Sequence, residues 1–185
     1  MTILYSQSVE TPLGQMFITA STRGVCLAEF AGTPRMERES RDLERLFQAR
    51  TEAGGRNEHT AQAAQELAEY FRGGRQRFTV ALDTPGTDFQ RQVWAALRDI
   101  PYGMTSHYQA LAATIGKPAA VRAVAAANGA NRVAILIPCH RVIGKDGTLT
   151  GYGGGLPRKA WLLAHERGGR NYSPPDWFAT LQEYL

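Results

Sequence analysis

The sequence of 185 residues has only two cysteines, Cys26 and Cys139, and neither lies near a second cysteine or a suitably spaced histidine. It therefore predicts no structural zinc site and no resident metal. No apolar run approaches the roughly 20 residues that cross a bilayer, and no cofactor-binding motif is found. The first residues lack the basic start and apolar stretch of a signal peptide. We expect a soluble cytoplasmic protein with reduced thiols, no membrane contact and no cofactor.

The charged residues are unevenly divided along the chain. Residues 1–85 carry 10 Lys and Arg against 11 Asp and Glu, whereas residues 86–185 carry 11 against 6. A basic half is the expected footprint of a polyanion such as DNA. An excess of this size is equally common in proteins that only need to stay soluble, so charge alone decides nothing.

The N-terminal half predicts a mixed α/β scaffold that carries no catalytic constellation. Alternating apolar residues and helical spacing give its elements. The predicted elements are strands over 11–20 and 25–30 that form a hairpin, helices over 35–50 and 61–71, a third strand over 78–82, and a linker over 83–86. Cys26 falls in the second strand, where it is expected to be a small apolar residue.

The second half predicts three helices. Thr87 opens the first with a capping box, Ser106 opens the second with another, and the third spans 119–128 before Gly129. Two short helices across a glycine turn are typical of a helix-turn-helix, and equally of a small helical bundle. The third helix is nearly all small residues around Arg122. It suits a close approach to DNA through shape and phosphate contacts better than base reading in the major groove.

An apolar run over 133–137 predicts a buried strand that delivers Cys139 beside His140. A neighbouring cation can lower the pKa of a thiol and make it a nucleophile. Most free cysteines are instead buried and inert. The Cys–His pair by itself leaves both interpretations open.

The sequence Pro-Cys-His-Arg-Val at 138–142 resembles the active-site signature of the O6-alkylguanine-DNA alkyltransferases, the methylated-DNA–protein-cysteine methyltransferases. The resemblance is dense over residues 87–168 and rests in the first half mainly on 11–14. It also includes the segments 89–94, 101–103, 108–112, 122–124, 150–156 and 158–166. It implies an α+β fold, with a ribonuclease-H-like α/β domain over 1–85 and a winged-helix or helix-turn-helix domain over 86–168. Residues 169–185 extend beyond the usual end.

The resemblance implies a reaction in which an alkyl group on O6 of guanine, and also on O4 of thymine, moves to Cys139. His140 takes the thiol proton through a water molecule, and Glu166 orients His140. Tyr108 donates to the guanine ring and helps to turn out the phosphate. Asn131 braces the turn that holds the thiol. The resulting thioether cannot be hydrolysed by any group evident in the sequence, so we expect a single turnover.

The resemblance also implies the contacts with the substrate, double-stranded DNA that carries O6-alkylguanine. The backbone of Cys139, Val142, Tyr152 and Gly153 lines the guanine pocket. Arg122 fills the gap that the extruded base leaves, while Ala123 and Ala126 allow the third helix into the minor groove. A monomer is expected, and self-association on DNA is left open.

Several features depart from the family pattern. The extra N-terminal zinc ligands of some members are missing, His107 stands where small residues are common, and Gly153 stands where some relatives carry a hydroxyl group. The last 17 residues include Trp177 and Phe178, which suit packing, self-association or a disordered end.

Three other functions compete with this one. A lesion-binding relative without activity would lack the cysteine, a Cys–His hydrolase would need an oxyanion hole, and a transcription factor would need polar residues on the third helix.

Overall fold

A computed structural model describes residues 2–168, which form an α+β fold. The elements are β1 (Thr2–Thr11), β2 (Gly14–Ala20), β3 (Val25–Phe30), α1 (Pro34–Phe47), β4 (Ala49–Ala53), α2 (Glu58–Phe71), α3 (Asp88–Arg98), β5 (Ser106–His107), α4 (Tyr108–Thr114), α5 (Val121–Gly129), a 3₁₀ turn (Cys139–Arg141), β6 (Val142–Ile143) and α6 (Leu156–Glu166). The predicted C-terminal extension, 169–185, lies outside the described residues. No helix within 2–168 is long and apolar enough to cross a membrane.

The larger sheet has the strand order β3-β2-β1-β4. The predicted hairpin is confirmed, because β2 and β3 pair antiparallel and place Ile18 opposite Ala28. Two strands of this sheet were not predicted: β1, which is antiparallel to β2, and β4, which is parallel to β1. Cys26 lies in β3 as expected, fully buried, and its thiol donates to the carbonyl of Thr19.

The prediction of a third strand over 78–82 is wrong. Only Leu82 forms an isolated bridge, with Val25. The physical reason is the carboxylate of Glu66, which accepts hydrogen bonds from the backbone N–H groups of Thr79 at 2.9 Å and Val80 at 3.2 Å. A side chain thus satisfies the donors that a strand partner would otherwise take.

The two predicted N-terminal helices are confirmed, and each begins at a side-chain cap, but the first ends at Phe47 rather than at Arg50, which lies in β4. Thr33 caps α1, where its side chain accepts from the N–H of Met36. Asn57 and Thr60 form a reciprocal capping box that starts α2 three residues earlier than predicted. Leu67 and Tyr70 of α2 are fully buried in the core beneath the sheet.

In the second half, the capping box that opens α3 is confirmed in full. The second predicted box is wrong. His107, not Ser106, caps α4, because its Nδ1 accepts from the N–H of Ala110 at 3.1 Å. Ser106 is instead held in β5, where it pairs with Val142 of β6. The third helix is confirmed as α5, with Gly129 as its last residue.

The strand predicted over 133–137 is also wrong, although all five residues are buried. The segment makes a tight turn at Ile135, which has a φ of 72°. Before the turn, Ala28 of β3 donates to the carbonyl of Arg132 at 2.9 Å and accepts from the N–H of Ala134 at 2.8 Å. The second half is therefore hydrogen-bonded to the edge of the N-terminal sheet, and one apolar core runs through both halves.

Candidate active site

Cys139 opens the 3₁₀ turn directly after Pro138 rather than leaving a strand, and only 7% of it is exposed. It lines a cavity of about 170 Å³. Four further residues predicted for the site share this wall: Tyr108, Asn131, Tyr152 and Gly153. The remaining lining residues are Glu29, Arg35, Ala125, Asn128, Gly129, Ala134, Gly151 and Gly154.

Asn131 holds the thiol in place. Its Nδ2 lies 3.2 Å from Sγ of Cys139 and 2.9 Å from the carbonyl oxygen of Ile137, while its Oδ1 accepts from the N–H of Val133 at 3.0 Å. Burial raises the pKa of the Cys139 thiol, and the hydrogen bond from Asn131 opposes that effect only in part. The thiol is therefore protonated near neutral pH, and it needs a base before it can act as a nucleophile.

His140 is fully buried, and its Nε2 lies 2.7 Å from Oε1 of Glu166. Burial lowers the pKa of His140 more than Glu166 raises it, so the ring is neutral at rest. A carboxylate can only accept, so the single ring proton sits on Nε2 and Nδ1 keeps its lone pair. Within residues 2–168, Nδ1 has no hydrogen-bond partner. This tautomer leaves His140 ready to accept a proton at Nδ1.

Glu166, the last residue of α6, is the centre of a buried polar network. Its carboxylate accepts from Arg141 at 2.8 and 3.1 Å, from the hydroxyl of Tyr70 at 2.8 Å and from the N–H of Gly103 at 3.1 Å. Burial raises the pKa of this carboxyl, but the hydrogen bonds from His140 and Arg141 outweigh it and bring the pKa down to about 2. When His140 is neutral, the hydrogen bonds and positive charge of Arg141 still favour the ionised carboxylate of Glu166.

Lys159 is a buried cation that the sequence analysis missed. It is fully buried, and its Nζ donates to the carbonyls of Val142 and Thr150, both at 2.6 Å, and to that of Gly151 at 3.3 Å. Burial lowers its pKa to about 8. Val142, which was predicted to line the pocket, is fully buried, engages Lys159 with its carbonyl and is absent from the described residues that line the cavity.

The expectation that the N-terminal half is only a scaffold is wrong, because Glu29 and Arg35 form part of the cavity wall. Nε of Arg35 donates to Glu29 at 2.8 Å, and its two terminal nitrogens donate to the carbonyls of Gly129 at 2.8 Å and Asn131 at 2.7 Å. A Cβ atom on Gly153 would lie 3.0 Å from Nε of Arg35. Arg35 thus occupies the space that a side chain at 153 needs, which accounts for glycine at this position.

The helix α5 presents two different faces. Arg122, Ala123 and Ala126 are exposed, and Ala125, Asn128 and Gly129 line the cavity on the adjoining side of the helix. Gly129 lies two turns after Arg122 on the same side, so the surface shared by the three residues predicted to meet DNA borders the cavity that contains the thiol.

A buried cysteine followed directly by a His–Glu pair is the arrangement expected of a protein that acts through a thiol nucleophile. The family pattern described as "6-O-methylguanine DNA methyltransferase, DNA binding domain" matches residues 88–168. The chain is 44% identical over 169 residues to the methylated-DNA–protein-cysteine methyltransferase of Salmonella typhimurium, which covers 88% of this chain and 95% of that protein. It is 41% identical over 164 residues to that of Methanosarcina barkeri, which covers 88% and 97%.

The fold is similar to the crystal structure of Mycobacterium tuberculosis OGT in complex with DNA, with a TM-score of 0.77, 36% identity, and coverage of 95% of this chain and 99% of that chain. The chain belongs to the methylated-DNA–protein-cysteine methyltransferase family. The resemblance inferred from residues 138–142 and their neighbours is confirmed.

Proposed function

We propose that this protein repairs alkylated DNA by direct reversal, moving a methyl or other alkyl group from O6 of guanine, or from O4 of thymine, onto Sγ of Cys139. The observation that carries the proposal is the buried Cys139 thiol in a cavity, held by Asn131 at 3.2 Å and followed directly by the His140–Glu166 pair. The family membership supports the same reaction.

The first step is removal of the thiol proton. Nδ1 of His140 takes it through a water molecule, since this nitrogen has no partner within 2–168. The imidazolium that forms lies 2.7 Å from the ionised carboxylate of Glu166, which stabilises the new charge. Asn131 Nδ2 stays within hydrogen-bond distance of the developing thiolate. Each of the three side chains thus has one defined part in activating Cys139.

The second step transfers the alkyl group. The sulfur lone pair attacks the alkyl carbon in line, a C–S bond forms, and the C–O6 bond breaks with its electron pair going to the purine. Tyr108, which lines the cavity, donates to the guanine ring and makes the purine a better leaving group. The purine anion then takes up one proton, which balances the proton that His140 received from the thiol, so the products are unmodified guanine and a thioether at Cys139. Because the thioether persists, each protein molecule acts once and needs no cofactor.

The substrate reaches the thiol by leaving the DNA stack, which costs a few kcal/mol. We assign the exposed face of α5 to the minor groove, with Ala123 and Ala126 against the backbone and Arg122 in the vacated position. The adjoining side of α5 lines the cavity, so an extruded base passes along this helix to reach the thiol. The backbone at Tyr152 and Gly153 then lies against the base.

The types of the two domains are also part of this proposal. Three antiparallel strands and a fourth strand parallel to the first support a ribonuclease-H-like unit over 1–85. The helices α4 and α5 support a winged-helix or helix-turn-helix unit over 86–168. We expect a monomer, and self-association on DNA stays open.

Mass spectrometry after incubation with a duplex that contains O6-methylguanine tests the reaction. The peptide that includes Cys139 is expected to gain the mass of one methylene group, because a methyl group replaces the thiol hydrogen. One lesion should be lost per protein molecule. Cys139→Ser should bind the lesion without transfer, and the matched control Cys26→Ser should transfer fully, because Cys26 lies in β3 outside the cavity. An unmodified Cys139 peptide, or repeated turnover, contradicts the proposal.

A further inference from the structure

A second cavity, of about 390 Å³, lies on the other side of the turn that carries Cys139. We call it the rear cavity. Pro138 and Arg141 line it, whereas Cys139 between them lines the cavity of the thiol. Its other walls come from both halves of the chain, mainly from residues 76–78 and 98–102. The mechanism above gives this space no part.

The rear cavity has an aliphatic floor and a basic rim. Arg77 and Arg98 are exposed at the rim, and Asp99 is the one acid among the described residues that line the cavity. Arg141 is already paired with Glu166, so the surplus positive charge belongs to the rim. The buried floor includes Ile100, Ile135 and Leu136. A segment with both carboxylates and large apolar side chains complements such a surface.

The chain passes the edge of the rear cavity where the last described helix ends. The carbonyl oxygen of Glu166 lies beside Gly103, since a Cβ atom added there would be 2.9 Å from it. Tyr102, the preceding residue, lines the rear cavity. Residues 169–185 therefore start close to it. At about 3.3 Å per extended residue, eight of them span up to roughly 26 Å, so the length of the segment permits contact with the whole cavity.

Residues 171–185 have the complementary composition. They contain two acids, Asp176 and Glu183, and no Lys or Arg. Asp176 directly precedes Trp177 and Phe178, so a carboxylate adjoins two large apolar side chains. One short segment can therefore meet both the rim and the floor.

We propose that residues 176–185 dock in the rear cavity of their own chain. Asp176 then faces the guanidinium groups of Arg77 and Arg98, and Trp177 packs on the aliphatic floor. The docked segment covers the turn of Cys139 from behind. The contact is independent of the function proposed above, because it involves no substrate.

A groove of about 570 Å³ along α6 is the competing site, and Gly168 itself lies in its wall. Arg167 is the only charged residue among the described ones that line this groove. The groove therefore attracts an acidic segment less than the rear cavity does. A segment held there would respond to changes in the groove and not to changes at the rim.

Acrylamide quenching of tryptophan fluorescence in the full chain tests the docking. Trp94 and Trp161 are only 3% and 8% exposed, so Trp177 dominates the quenching, and Trp177→Phe gives the background of the other two. We expect Trp177 in the wild type to be quenched several-fold less than free tryptophan. Arg77→Glu combined with Arg98→Glu should remove most of this protection, because the rim then repels the acidic segment.

Charge reversal on the segment is the matched control. Asp176→Arg combined with Glu183→Arg should release Trp177 in the wild-type background. In the background of Arg77→Glu and Arg98→Glu the same two changes should restore the protection, because the charges are again opposite. Protection that does not return in this combination overturns the proposal.

Two other outcomes also overturn it. One is a wild type in which Trp177 is quenched as readily as free tryptophan, a result that needs no variant to fold. The other is release of Trp177 by Ala164→Glu, in the wall of the competing groove, without release by the two changes at the rim. That result would place the segment along α6.

Discussion

Replacing Glu166 by glutamine keeps the size of the side chain and removes the negative charge at the centre of the buried network. The carboxylate is 1% exposed and lies 2.8 Å from Arg141 and 2.7 Å from His140. Removing one partner of a buried ion pair costs about 3–5 kcal/mol, because the other charge is left uncompensated. We therefore expect Glu166→Gln to lower the free energy of unfolding by about this amount at pH 6.

The pH dependence of that loss identifies its cause. The pKa of Glu166 falls from 4.5 to about 2 in the folded protein. A lowered carboxyl pKa stabilises the fold above pH 4.5, and this stabilisation disappears as the pH falls towards 2. A shift of that size corresponds to about 3 kcal/mol. The difference between wild type and Glu166→Gln should therefore shrink by about 3 kcal/mol between pH 6 and pH 2.

Urea unfolding of both proteins at a series of pH values measures this difference, since the other carboxyl groups are common to both and cancel. Single-turnover transfer at pH 7 should also fall, by about 10² or more, because the imidazolium of His140 loses its counter-charge. A stability difference that stays constant from pH 6 to pH 2 would refute the argument, since it would show that Glu166 is not held ionised by its neighbours.

Three further predictions concern the residues around the cavity. Gly153→Ser should lower the free energy of unfolding by about 1–3 kcal/mol and slow transfer, because it displaces Arg35. The loss of stability should be smaller in an Arg35→Ala background. Additive losses in this double-mutant cycle would contradict the steric explanation. Lys159→Met should lower the free energy of unfolding, measured with urea, by about 2 kcal/mol or more, because three carbonyls lose their donor. An unchanged free energy of unfolding would show that the ammonium group is dispensable. Because the pKa of His140 is lowered, the transfer rate should hold as the pH falls through 6.5 and drop only below it; a drop centred above 6.5 would contradict a buried neutral base.

The sequence predicts those parts of the fold whose signals are local. The hairpin of β2 and β3 follows from alternating apolar residues, and α3 follows from the capping box at Thr87. β4 was missed because Ala49 is its only buried residue, so its pattern is not that of a strand. The run over 133–137 was misassigned because burial, not strand geometry, makes it apolar. Its turn at Ile135 depends on pairing with Ala28, more than 100 positions earlier.

The site residues also differ in whether a local sequence pattern or a contact between distant residues identifies them. Cys139 and His140 stand out in the sequence, and the family resemblance adds Glu166, which lies 26 positions from His140. The cations Arg141, Lys159 and Arg35 were missed because Lys and Arg are usually solvated. Their roles arise only when the fold buries them against carbonyls and carboxylates. A basic residue on the apolar face of α6, as at 159, is the one local signal that would have found any of them.

The protonation state of the resting site fits a thiol that is used once. A thiolate of low pKa reacts with any accessible oxidant or electrophile, and a protein that cannot regenerate its cysteine loses its function in each such event. Cys139 is 7% exposed and its pKa is raised, so few molecules carry a thiolate before a substrate arrives. The neutral His140 beside it can accept the proton at Nδ1, and the charge it then acquires is already compensated by Glu166. The nucleophile therefore forms by proton transfer to His140 rather than as a resting thiolate, which limits loss of the thiol to side reactions before a damaged base is repaired.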